Sequence, residues 1–107
     1  MKIIKGQNEI FEVEVEGKII GSGIMMEATE DDENCYLERL DIDEEHRNQG
    51  HGTSALYALR KTYGTYFLAP DNEDAQRLYE RVADKMKDKA YSEFGFAVDQ
   101  GYGVYEM

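Results

Sequence analysis

Tryptophan is missing from this chain, and proline and cysteine each occur once. A single thiol, Cys35, cannot close an internal disulfide, and no Cys/His cluster has zinc-ligand spacing, so no metal is expected. Long apolar runs are missing too. Ile24-Met25-Met26 is typical, far short of the ~20 residues a membrane helix requires. The N-terminal Met1-Lys2-Ile3-Ile4-Lys5-Gly6 meets charge too early for a secretory signal. Cations are scarce: 12 Lys and Arg stand against 23 Asp and Glu, a formal net charge of -11 over 107 residues. Duplex nucleic acid is held by neutralising its phosphates, so it is not an expected partner, and neither is a membrane. The 41% of hydrophobic and 11% of aromatic residues suffice for a core and argue against disorder. The length suits one domain spanning residues 1–107. What these absences leave is a small, acidic domain with a cytoplasmic location as the expectation.

Periodicity orders the chain. Ile10-Phe11-Glu12-Val13-Glu14-Val15-Glu16 alternates apolar and acidic residues, which predicts a half-buried strand with Phe11, Val13 and Val15 inward. Before it there is room only for a short leading strand, Met1 to Lys5. Gly17-Lys18 reads as a tight hairpin turn. Lys18 to Ala28 returns as a second strand, in which Gly21 and Gly23 mark a bulge or a close backbone approach. After an acidic loop, Thr29 to Asn34, the stretch Cys35 to Ile42 reads as a third strand. A helix over Thr53 to Lys61 places Ala55, Leu56 and Leu59 on one face. Thr65 to Ala69 is a short strand closed by Pro70. Asp71 or Asn72 caps a second helix, with Ala75, Leu78, Tyr79, Val82 and Met86 at helical spacing. The tail from Ser92 to Met107 reads as a final hairpin turning near Asp99-Gln100-Gly101. The order β-β-β-α-β-α-β-β is that of a mixed α/β domain.

Chemistry concentrates between Ile42 and Ser54, where a strand runs through Arg47-Asn48-Gln49-Gly50-His51-Gly52 into a helix. A helix start presents unpaired amides and a partial positive charge, a ready seat for phosphate. Gly50 and Gly52 let the backbone approach an anion without a Cβ in the way. In so acidic a chain, a phosphate site has to come from backbone dipoles more than from lysines. By itself a G-x-G equally suits a turn that needs positive φ. The Walker A lysine motif and the G-x-G-x-x-G fingerprint are both absent, which argues against nucleotide hydrolysis and a Rossmann fold.

Two blocks narrow the reading. Leu37-x-x-Leu40-x-Ile42 followed by Arg47-x-x-Gly50-x-Gly52 resembles the signature of the GCN5-related N-acetyltransferase (GNAT) superfamily. There a strand runs into an R/Q-x-x-G-x-G/A loop whose amides cradle the pyrophosphate of acetyl-CoA. Asn72-x-x-Ala75-x-x-Leu78-Tyr79 resembles the family's N-x-x-A-x-x-L-Y on the next helix. The resemblance implies a mostly antiparallel mixed sheet with two main helices. It also implies acetyl-CoA as co-substrate and direct N-acetyl transfer to a primary amine. Its cofactor contacts fall on Leu40, Ile42, Arg47, Gln49, Gly50, His51, Gly52, Thr53, Ser54, Asn72 and Tyr79.

Roles follow from the same resemblance. The amide of Leu40 would stabilise the developing oxyanion, and Tyr79 would protonate the departing thiolate. The glutamate that histone-type members carry on the third strand is Tyr36 here, which leaves Glu38 or Glu27 as the base, acting directly or through water. His51 is expected to serve through its amide with a solvent-facing ring, His46 to be a surface residue, and Cys35 to be a small buried hydrophobe. Tyr57, Tyr63 and Tyr66 are assigned to packing. The runs Glu30-Asp31-Asp32-Glu33 and Asp43-Glu44-Glu45 read as solvated loops. The family's helices between the first two strands are absent, which implies an open cleft for a protein lysine, an N-terminal amine or a polyamine, or a cleft completed in a homodimer. The rival reading is an acyl-CoA-binding regulatory or interaction module without turnover.

Overall fold

The alternation in the first half of the chain is realised as an antiparallel meander. In the computed structural model, residues 1–27, 35–85 and 103–107 are described, and they form two compact units, Met1–Tyr66 and Phe67–Met107. The expected loop from Thr29 to Asn34, with its acidic run, and the tail turn near Asp99 lie outside the described residues.

In the first unit β1 (Lys2–Lys5), β2 (Ile10–Val15), β3 (Lys18–Met26) and β4 (Cys35–Ile42) each run antiparallel to the next. The β2–β3 turn sits one residue earlier than expected. Its central residues are Glu16 and Gly17, with φ of 51° and 81°, and Val15 pairs with Lys18. Positive φ at both positions matches the twist of the flanking strands, so the turn closes around the glycine rather than after it. Phe11 and Val13 are fully buried, whereas Val15 is only half-buried. The register shifts between Val13 and Glu14, and that bulge ends the inward alternation. Gly21 and Gly23 mark close approach as expected: a Cβ on Gly23 would strike the Arg39 carbonyl and the Phe11 ring, and one on Gly21 the Asp41 carbonyl.

Helix α1 (His51–Tyr63) buries Ala55, Leu56 and Leu59. At its far end the Tyr63 ring meets Phe11 edge-on at 6.3 Å, and the Lys5 ammonium lies 4.5 Å above the Tyr63 ring. Lys5 also pairs with Glu27 at 2.9 Å. Tyr66 is fully buried and donates its hydroxyl to the Leu56 carbonyl at 2.7 Å. Tyr57, assigned to packing, is instead 54% exposed, because it lies on the helix face opposite Ala55 and Leu59.

The second unit takes up the chain along β5 (Tyr66–Leu68) and continues through α2 (Glu73–Val82), β6 (Asp84–Lys85) and β7 (Tyr105–Glu106). Strand β7 pairs antiparallel with both β5 and β6, so that Tyr105 stands opposite Leu68 and Lys85. Helix α2 stops at Val82, short of the periodicity that ran on to Met86: Ala83 is already extended, and the ladder with β7 captures Asp84 and Lys85. The expected mixed α/β order is met, with Lys2–Lys5 as the leading strand. Among the described residues no helix is long and apolar enough to cross a membrane.

Candidate functional site

Strand β4 sets up the site. Its ladder with β3 shifts register between Ile24 and Met25, where Arg39 and Leu37 are the partners, so Glu38 is the supernumerary residue of a bulge. Glu38 is exposed, Leu40 is half-buried opposite Gly23, and Ile42 is buried opposite Gly21. Beyond Ile42 the Asp43 amide bonds the Ile20 carbonyl at 2.7 Å. The chain then coils into one short 3-10 turn, Glu44–His46. Asp43, Glu44 and Glu45 line an open depression there.

The turn into α1 is held internally. The Arg47 Nε donates to the Ile42 carbonyl at 2.8 Å, and the Gln49 side-chain Nε2 donates to the Glu45 carbonyl at 3.4 Å. Asn48 and Gly50 have φ of 63° and 79°. Asn48, a loop residue missed by motif reasoning, adopts this left-handed geometry because its short polar side chain tolerates it. The helix begins at His51, two residues before the expected Thr53, so Gly52 lies inside the first turn. The N-cap is Gly50, with no side-chain cap and no acidic residue in the first turn. The amides of His51, Gly52 and Thr53 are left without an intrahelical acceptor, at the positive end of the helix.

The two histidines are not the solvent-facing residues expected. The His46 side chain is 20% exposed and its Nε2 is buried without a hydrogen bond, while the Glu45 carboxylate stands 3.5 Å away. The half-buried His51 turns its ring edge-on to His46, with centroids 6.3 Å apart. Cys35 is half-buried rather than fully enclosed.

Tyr36, at the position where histone-type members carry a glutamate, is buried on β4. Burial, with the Glu38 carboxylate second, pushes its phenol up to about 12. It keeps its proton at neutral pH and has no capacity as a base. Tyr63 is raised as well, by burial first and then by Glu27 and Cys35.

The second motif block is built on α2. Here the cap is filled: the Asn72 Oδ1 accepts from the Ala75 amide at 2.8 Å, with Glu73 and Asp74 in the first turn. Tyr79 is half-buried and lies edge-on to the fully buried Tyr105, with centroids 6.1 Å apart. The Tyr105 hydroxyl is 3.3 Å from Glu80 Oε1.

In this α/β domain a bulged strand runs into a left-handed, uncapped helix start. More specifically, residues 3–84 match the acetyltransferase (GNAT) family, and the chain belongs to it. Two solved structures share the fold. One is an acetyltransferase, with 21% identity and a TM-score of 0.56 over 77% of this chain. The other is an N-acetyltransferase from Staphylococcus aureus Mu50, with 20% identity and a TM-score of 0.57 over 79%. The chain spans 63% of the first protein and 66% of the second. No curated protein matches the sequence.

Proposed function

We propose that this chain moves the acetyl group of acetyl-CoA directly to a primary amine. The observation that carries the reading is the bare start of α1, with Gly50 left-handed and no side-chain cap, within a chain segment that matches the acetyltransferase family. The amides of Gly50, His51, Gly52 and Thr53, with the Thr53 and Ser54 hydroxyls, would hold the diphosphate. Leu40 and Ile42 would bind the pantetheine arm through the backbone, and the Leu40 amide would face the oxyanion, a role worth a few kcal/mol. Asn72 caps α2 and in the same reading touches the cofactor.

The chemistry balances without a covalent enzyme intermediate. The amine nitrogen attacks the thioester carbonyl, the C–S bond breaks, and Tyr79 gives its proton to the leaving thiolate. A phenol, with its ordinary pKa of about 10, is a reasonable donor to a thiolate whose acid lies at about 8.5. Glu38, the exposed bulge residue, would take the amine's proton, directly or through water. The acceptor is a protein lysine, an N-terminal amine or a polyamine, and the site of action is the cytoplasm.

Thermal shift with acetyl-CoA tests the reading, because a ligand that binds only the native state raises the melting temperature. The shift should appear for the native chain and vanish for Gly50→Val, since φ of 79° at this position is closed to a β-branched residue. No shift at saturating acetyl-CoA would sink the proposal. A second reading, an acyl-CoA-binding module without turnover, draws support from Tyr36, a protonated phenol at the position where histone-type members carry a glutamate. Release of CoA thiol with a panel of amines separates the two.

A further inference from the structure

We infer that Arg47 is a positioning residue, holding the anion loop to the end of β4 through its Nε, and that it makes no direct contact with the phosphate. This rests on the acetyl-CoA reading above. Three observations support it. The Nε donates to the Ile42 carbonyl at 2.8 Å in a partly buried setting, so the donor that lies in line with the side chain is already used. The bond spans from the last residue of β4 to the third residue before the N-cap Gly50. It closes a ring around the 3-10 turn, within which the His46 and Arg47 amides bond back to Asp43 and Glu44 at 2.8 and 3.2 Å. Despite Asp43, Glu44 and Glu45 along the same stretch, Arg47 makes no ion pair with them among the described residues. The side chain is engaged as a directional donor to backbone, and among the described residues no carboxylate of the stretch competes for it.

The physical consequence concerns where the helix amides point. Asn48 and Gly50 are both left-handed, a geometry that a free loop samples among many others. Tying residue 47 to residue 42 removes that freedom before any ligand arrives, so the amides of His51, Gly52 and Thr53 are aimed in advance.

Donor position and charge can be separated by substitution. Glutamine carries an N–H donor at the same ε position as arginine but no charge, whereas lysine keeps the charge and moves the donor one bond further out. The measurements are acetyl-CoA affinity by calorimetry and hydrogen exchange of the amides of residues 48–54 in the unliganded protein. Arg47→Gln should stay near the native affinity. Arg47→Ala and Arg47→Lys should each weaken it roughly tenfold, the scale of one lost hydrogen bond, and should speed exchange in the loop while Arg47→Gln does not. If Arg47→Lys retains affinity and Arg47→Gln loses it, Arg47 acts by charge on the phosphate and the inference falls. It falls equally if Arg47→Ala changes neither quantity. Failure of the native chain to bind acetyl-CoA would remove the proposed function. The exchange ordering, read without ligand, would then still decide whether Arg47 holds the loop.

Discussion

Single side chains divide here according to what their surroundings let them do with a proton. Tyr36 is pushed up to about 12 by burial and by Glu38, so the native state holds its proton more tightly than the unfolded chain, where a phenol titrates near 10. Its contribution to stability is fully present below about pH 10 and is lost as pH rises from there to about 12. Urea midpoints taken at about pH 9 and about pH 11 should therefore separate in the native chain, and the gap should narrow in Tyr36→Phe. Tyr79 belongs to another class, half-buried against Tyr105. Tyr79→Phe should slow thiol release by roughly a hundredfold, the usual worth of a general acid, while leaving acetyl-CoA affinity close to native. Equal loss of both would remove Tyr79 as the acid. Both tyrosines were legible as positions in a pattern, but the protonation of Tyr36 was not. Burial on β4 depends on strands that arrive from elsewhere in the chain.

The two helices make a controlled comparison between elements. Helix α2 starts under Asn72, whose side chain satisfies the Ala75 amide, and it carries Glu73 and Asp74 at its positive end. Helix α1 starts under a glycine with neither device. The first arrangement stabilises a helix; the second leaves amides open. Asn72→Ala should lower unfolding stability by about 1 kcal/mol, and Asn72→Asp should restore most of it, as read by urea denaturation. The Asn72 cap and the strand over Ile10–Val15 were readable from local sequence, because caps and alternation act over a few residues. The bulge at Glu38, the two-residue shift in the start of α1 and the early end of α2 at Val82 were not. The bulge is settled by β3, the start of α1 by the left-handed Gly50 that serves as its N-cap, and the end of α2 by the pairing of Asp84 and Lys85 with β7.

At the scale of the whole molecule, the net charge would oppose the proposed cofactor. A net charge of -11 repels a polyanionic ligand over long distances, and Asp43, Glu44 and Glu45 line the depression beside the loop. In the proposed site the attraction would come from helix amides at contact range, where salt has little reach. Raising the ionic strength from about 0.01 M to about 0.15 M shortens the screening length from about 30 Å to about 8 Å. Acetyl-CoA affinity should hold or improve over that range, opposite in sign to a site built from lysines; a steep loss in a salt titration would contradict the backbone-dipole account. Acidity, the absence of staples, the strand-loop-helix grammar and the family all follow from composition and local spacing, since each depends on residues that are neighbours along the chain. Register and bulges were decided only when distant strands met, and the buried edge of His46 and the engagement of Arg47 only when the loop folded on itself. Hydrogen bonding and desolvation act through space, and the order of residues alone does not say which carbonyl a guanidinium will find.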